Sequence, residues 1–229
     1  MDYNRLAEIC LPDIDKTPDY WEKQFPAREL KKGAQVTRLA PSPTGFIHLG
    51  NLYGALADER IAHQSGGTFY LRIEDTDAKR EVEGAVDIII NVLRYFGIEF
   101  DEGAGIDNPE INKYGPYFQR QRAEIYQTYV KDLIRKGLAY PCFCTEEELK
   151  QMKHDILTGY HTKWAKCRCL TCEQVEENIK AGKPYVMRLR SQGVEGKEVT
   201  FKDTIKGEIS FPENIQDVII LKSDGIPTY

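Results

Sequence analysis

The chain has 229 residues, 41% hydrophobic and 29% charged, with a formal net charge of −5, enough for a sizeable core in one large domain or two smaller ones. No apolar run approaches the ~20 residues a membrane-spanning helix needs, and the start MDYNRLAEICLPDIDK lacks the basic opening and apolar stretch of a secretory signal. A cytoplasmic protein with no membrane partner is expected. The acidic balance argues against nonspecific coating of nucleic acid, but it allows a local basic surface that docks one folded RNA.

Residues 1–35 hold Pro12, Pro18 and Pro26 without a sustained period, and they read as an extension that packs on or precedes the fold. VTRLA (36–40) is a short strand broken by PSPTG, whose prolines and glycine can neither continue a strand nor begin a regular helix. A helix is predicted next, with Leu49, Leu52, Tyr53 and Leu56 at helical spacing and Gly66-Gly67 as its stop. TFYLRIE (68–74) alternates as a strand and runs into the polar turn DTD. Ala85, Ile88, Ile89, Val92 and Phe96 predict a second helix closed by Gly97. A loop over 101–116 follows, then a helix marked by Tyr126, Tyr129, Val130, Leu133 and Ile134 and ended by Gly137. PYVMRLR (184–190), EVTFKD (198–203) and DVIILKS (217–223) read as further strands, the last apolar enough to be covered on both faces. The β-α-β-α order predicts a parallel sheet with ligands gathered at the C-terminal ends of its strands, where PSPTG and DTD lie.

The stretch RLAPSPTGFIHLGN (38–51) carries the strongest chemical signal. Pro41 and Pro43 stiffen the loop, Gly45 permits close backbone approach, and His48 with Gly50 opens the helix. A helix start offers unpaired N–H groups and a positive dipole end to a triphosphate, and a histidine there can donate to phosphate oxygens as charge develops. On the first strand, alternation places Arg38 and Ala40 on one side with Ser42 just beyond, while Glu74 ends the second strand. A guanidinium matches a carboxylate bidentately and leaves its donors opposed to those of an amide. Asp75 and Asp77 read as turn-shaping residues.

Five of the six cysteines crowd into 142–172. Cys142-x-Cys144 and Cys167-x-Cys169 offer four thiolates in two pairs, with Cys172 in reserve, and the spacing alone leaves metal binding and free thiols equally open. Cys10 reads as a small apolar residue.

The fourteen-residue loop resembles the first nucleotide-binding motif of class I aminoacyl-tRNA synthetases, and most closely that of the glutamyl-tRNA synthetases, with Leu39 in place of an aromatic and Asn51 where many relatives have His or Gly. LRIEDTD (71–77), YPCFC (140–144) and DGIPTY (224–229) continue the match in order, so the resemblance covers about 36–229. It implies an α/β fold, a Rossmann-like parallel-sheet nucleotide-binding domain interrupted by a smaller zinc-containing α+β insertion. The boundaries it implies are an extension over 1–35, the first part of the catalytic domain over 36–115, an acceptor-stem-binding insertion over 116–215, and a return to the catalytic domain over 216–229. It implies ATP-dependent activation of L-glutamate and transfer to tRNA(Glu) by a monomer. His48 would act in catalysis; Thr44, Gly45, His48, Gly50 and Asn51 would bind ATP with Mg²⁺; Arg38, Ala40, Ser42, Glu74 and Tyr229 would hold glutamate. Structural Zn²⁺ would sit on Cys142, Cys144, Cys167 and Cys169. Glutaminyl enzymes read P-P-E-P-N-G in this loop and lack Arg38, while the shorter glutamyl-queuosine tRNA(Asp) synthetase and a small-molecule nucleotidyltransferase remain as alternatives. A second ATP loop and an anticodon domain are not found, so the chain is expected to be a truncated piece, inactive alone.

Overall fold

The computed structural model describes residues 1–45, 47–77, 79–145, 147–148 and 166–228. It divides into two compact units, one of Lys16–Tyr126 and one joining Met1–Asp15 to Gln127–Thr228. Among the described residues, no helix is long and apolar enough to cross a membrane.

In the first unit, β1 (Val36–Leu39), β2 (Thr68–Leu71) and β3 (Glu102–Gly103) form a parallel sheet in that order. Helices α3 (Leu49–Ser65) and α4 (Ala85–Tyr95) make the connections. They are preceded by α1 (Tyr3–Cys10, in the other unit) and α2 (Pro18–Gln24). Alternation along β2 sends Phe69 and Leu71, with Ile73 just beyond, to one face, all fully buried against Ala55 and Ala62 of α3 and Ile89 and Leu93 of α4. The opposite face carries Arg38, Tyr70 and Glu102 in one cross-strand row. Gly67 is required at the entrance to β2, because a Cβ there would lie 1.8 Å from the Gln35 carbonyl oxygen.

Both helices form where the periodicity places them, but their buried faces differ from the predicted stripes. Leu49, Tyr53 and Leu56 are exposed, and α3 instead turns Ala55, Glu59 and Ala62 inward. Small side chains let this helix approach the sheet closely, so the bulky apolar positions are left outside. On α4 the buried stripe is Ala85, Ile89 and Leu93, and Phe96 is exposed as the C-cap residue. Gly97 adopts φ 69° and Ile98 N–H reaches the Leu93 carbonyl at 3.0 Å, a Schellman closure at the predicted stop. The strand β3 lies inside the predicted 101–116 loop; two residues are too few to show a period.

The second unit holds α5 (Ala123–Arg135) from Gln127 onward, with Val130 and Ile134 buried and Gly137 at φ 71° beyond its end. Strands β4 (Ala139–Cys142), β5 (Val186–Leu189) and β8 (Ile219–Leu221) form an antiparallel sheet, while β6 (Glu198–Asp203) pairs with β7 (Gly207–Pro212) as a separate hairpin. In β8 only Leu221 is buried, and Ile219 and Ile220 are half-covered. The start of the extension is firmly packed here. Asp2 caps α1, and Leu6, Ala7 and Cys10 are buried in contact distance of α6 (Cys172–Lys180). The Lys131 ammonium, 2% exposed, is satisfied by Glu8 Oε2 at 2.8 Å and the Ile14 carbonyl at 2.7 Å.

One polar staple ties α3 to the sheet of the first unit. His63 Nδ1 lies 2.9 Å from Glu59 Oε1 and Nε2 lies 3.0 Å from Asp101 Oδ2, which also accepts the Phe69 N–H at 2.7 Å. Partial burial works against a charged imidazole, but the hydrogen bonds and charges of Asp101 and Glu59 outweigh it and raise the His63 pKa. A group whose folded pKa lies above its ordinary value, about 6.5, contributes its stabilisation fully below that value and loses it as pH climbs through the folded pKa. His63→Gln is therefore expected to lower the unfolding free energy by roughly 0.5–1 kcal/mol near pH 5.5, the range for a solvent-screened ion pair, and by less near pH 9. Urea unfolding at both pH values reads the difference, and an equal loss at both would contradict the ionic account.

Candidate functional site

The PSPTG loop is laced to the strand beside it. Arg72 N–H donates to the Leu39 carbonyl at 3.0 Å, Glu74 N–H to that of Pro41 at 3.0 Å, and Val82 N–H to that of Pro43 at 2.9 Å, so residues 72–74 run alongside 39–41 after regular pairing ends. Pro43 is fully buried and fixes the loop from beneath. A cleft of about 350 Å³ opens above it, lined by Ser42, Thr44, Gly45, His48 and Asn51 together with Ile47 and Ile89. Among the described residues, a Cβ on Gly45 would meet no atom within 4 Å.

His48 is the N-cap of α3. Its Nδ1 accepts the Gly50 N–H at 3.2 Å, and its own N–H donates to Asn51 Oδ1 at 3.2 Å, which completes a capping box. Because Nδ1 accepts, a neutral imidazole carries its proton on Nε2, the nitrogen left to donate away from the helix. Gly50 makes this possible: a Cβ there would sit 3.1 Å from both His48 Cε1 and Nδ1. Asn51, read in the sequence as a nucleotide contact, thus has a capping function in the structure and also lines the cleft.

Arg38 and Glu74 come together. Glu74 is 3% exposed, and among the described residues every hydrogen bond to its carboxylate lands on Oε1: Arg38 Nη1 at 3.0 Å, Arg72 Nε at 3.2 Å and Arg72 Nη2 at 2.9 Å. Arg38 gives one donor to this pair, so Nε and Nη2 keep a free edge among the described residues. Ala40 is half-buried just past β1, and Ser42 is exposed on the cleft wall. Tyr229 lies outside the described residues. Asp77 pairs with Arg80 three residues on at 2.6 Å, the turn-shaping duty expected of it, whereas Asp75 accepts the Arg120 N–H, 45 positions away, at 2.8 Å and ties in a distant segment. The residue that sequence reasoning passed over is Arg72. Its signal was available, since it lies two positions from Glu74 in an alternating run and therefore shares its face.

In the second unit, the sulfurs of Cys142, Cys144 and Cys167 all lie within 4.8 Å of one another, with Cys144 and Cys167 at 3.6 Å. Hydrogen bonds from Cys144 and Cys167 lower the Cys142 thiol pKa, and the hydrogen bond to Cys142 raises that of Cys144. Cys169 is exposed and stands outside this group. Cys172 is buried elsewhere, its Sγ 3.3 Å from the Asp2 carbonyl and 3.6 Å from Met1 Sδ. Three of the four predicted ligands are therefore gathered, and neither later cysteine joins them.

The first unit thus combines a parallel sheet, a capped histidine-glycine helix start and a buried acid–guanidinium pair at adjoining strand ends. Residues 35–229 match the family of class I tRNA synthetases (E and Q), catalytic domain, and the chain belongs to it. It is 54% identical over 234 residues to a glutamate–tRNA ligase of Clostridium perfringens and 55% identical over 235 residues to that of Acetivibrio thermocellus, in each case covering 100% of this chain and 43% of the relative. A crystal structure of a glutamate tRNA ligase from Elizabethkingia meningosepticum in complex with its amino acid superposes with a TM-score of 0.72 at 35% identity, covering 86% of this chain and 40% of that one. The chain spans less than half the length of these relatives.

The stacking of His48 over Gly50 is open to test. Gly50→Ala is expected to leave global stability within about 1 kcal/mol, since alanine is the better helix former, while shifting the His48 imidazole ¹⁵N resonances as Nδ1 moves off its acceptor position. Unchanged imidazole resonances would show that the glycine is not what seats the ring.

Proposed function

We propose that the protein to which these residues belong activates L-glutamate with ATP and passes the glutamyl group to tRNA(Glu), working as a cytoplasmic monomer. The observation that carries the reading is the meeting of Arg38 and Glu74 at 3.0 Å beside the loop that seats His48. The free edge of Arg38 is suited to the substrate's side-chain carboxylate, where an amide would oppose donors to donors. Glu74 takes the ammonium group, and Ala40, Ser42 and Tyr229 complete the pocket. Thr44, Gly45, Gly50 and Asn51 hold the nucleotide at the helix start with His48.

The substrate's α-carboxylate oxygen attacks the α-phosphorus of ATP, and the bond to the β,γ-pyrophosphate breaks to leave glutamyl-adenylate. A terminal ribose hydroxyl of the tRNA then attacks the adenylate carbonyl and AMP departs. His48 Nε2 donates to phosphate oxygens as they gain charge, and the chain supplies alignment and electrostatics with no protein nucleophile. Mg²⁺ accompanies ATP as counter-ion to its phosphates.

For zinc, the clustered thiols of Cys142, Cys144 and Cys167 are the fitting donors, with Cys169 as the proposed fourth. A closed set of four would supply structure and no reaction step. The insertion over 116–215 would then carry the tRNA acceptor stem, and 216–229 would lead back to the catalytic domain.

The test is ATP–pyrophosphate exchange by the full-length protein with tRNA(Glu) present. Exchange should depend on glutamate and not be supported by glutamine. Arg38→Ala should lower kcat/KM for glutamate by ~30-fold or more, as loss of a buried charge partner does, with KM for ATP little changed. Absence of glutamate-dependent exchange in the wild-type protein overturns the assignment. Folded protein is also expected to retain about one equivalent of zinc, and Cys144→Ser to lose it; less than about half an equivalent in the wild type would count against the metal site.

A further inference from the structure

We infer that Arg28, in the segment before the family-matched residues 35–229, is a positioning residue for the amino-acid pocket, a reading that rests on the proposed glutamate-activating function. The register of the sheet places Arg38, Tyr70 and Glu102 in one row on one face. That face holds two deeply buried carboxylates, Glu74 at 3% exposure and Glu102 at 4%. Glu74 is compensated by Arg38 and Arg72. Glu102 has Arg28, whose Nη1 and Nη2 bond to its two oxygens, Nη1 at 2.9 Å. The Arg28 guanidinium is seated over the Tyr114 ring, 3.8 Å from its centroid, and 5.8 Å from that of Tyr70. A flat cation over two rings, forked onto one carboxylate, is a fixed arrangement.

The consequence for the pocket comes from what separates the two acid–base groups. Arg28, Tyr70, Tyr114 and Arg72 line one chamber of about 180 Å³, so the guanidinium that holds Glu74 faces the same space as the one that holds Glu102. Without Arg28, Glu102 becomes an uncompensated buried charge, which is strongly unfavourable. Two other guanidinium groups line the chamber: Arg122, whose Nη1 is held by the Tyr114 and Pro116 carbonyls at 3.1 and 3.0 Å, and Arg72, which is the one placed to turn toward Glu102 from Glu74. Turning to Glu102, it would withdraw two of the three hydrogen bonds on Glu74 Oε1. Glu74 would then draw more fully on Arg38, the group that is to read the substrate's carboxylate. Arg28 prevents this by saturating Glu102, and so keeps Arg72 on Glu74 and the edge of Arg38 free.

The test uses the full-length enzyme in exchange assays with tRNA(Glu), comparing wild type, Arg28→Ala, Glu102→Gln and the double variant. Arg28→Ala is expected to raise KM for glutamate ~10-fold or more with KM for ATP within ~2-fold, and adding Glu102→Gln should restore KM for glutamate to within ~3-fold of wild type, because the charge that misdirects Arg72 is gone. A purely structural role would depress both substrates together and would not be relieved by removing a second group; either result overturns the inference. Should Arg28→Ala fail to fold, Glu102→Gln and the double variant are compared directly. Equal KM for glutamate is then expected, and a difference of ~5-fold or more overturns it. Wild-type protein without glutamate-dependent exchange would sink the functional assignment itself, whereas an active wild type matched by Arg28→Ala would sink only the part given to Arg28.

Discussion

A carboxylate buried to 3% exposure at the end of a strand survives as an anion only if positive charge is built around it, and the first unit is arranged about that requirement at Glu74. The sheet supplies the means. Parallel pairing of β1 with β2 sets Arg38 level with Tyr70, and two further residues of the same parity bring Arg72 and Glu74 to the same face. The other parity is wholly apolar, with Phe69, Leu71 and Ile73 carrying the core against α3 and α4. One short strand thus separates a hydrophobic face that stabilises the unit from a charged face that gives it chemistry.

The loop after β1 obeys a parallel constraint at the helix start. The first turn of α3 has unpaired N–H groups, and His48 and Asn51 satisfy two donors reciprocally. This capping orients the imidazole with Nε2 outward, so the feature that begins the helix also aims the histidine. Gly50 belongs to the same unit of design, because any side chain there would press on the ring.

The parts of this structure written in local chemistry were legible in the sequence. The strand VTRLA, the helix stop at Gly97 and the closeness of Arg38 and Glu74 all follow from alternation, cap residues and the order of elements. What escaped had no local signature. The buried stripe of α3 consists of Ala55, Glu59 and Ala62, since helix-to-sheet distance rather than hydrophobicity selects that face, and no count of apolar residues shows it. Strand β3 has two residues and no period. The pairing of Arg28 with Glu102 joins positions 74 apart in sequence, and only the register of β3 brings it about. The cysteines were half legible: spacing offered Cys142, Cys144, Cys167 and Cys169 as two pairs, and three of these are gathered, but it could not show that Cys169 is exposed or that Cys172 is taken up beside Asp2.

The number of guanidinium groups around Glu74 has a meaning of its own. A guanidinium has two donor edges, and forking onto a buried carboxylate commits one of them. With Arg72 supplying two of the three bonds to Oε1, Arg38 needs to supply only one. Two guanidinium charges on one carboxylate also leave the trio at a formal +1, while Arg28 and Glu102 cancel. An amino acid with a second carboxylate carries one net negative charge and brings such a pocket to neutrality, whereas its amide, neutral overall, leaves the surplus in place. Under the proposed function, charge balance and donor geometry would favour the acid over its amide together.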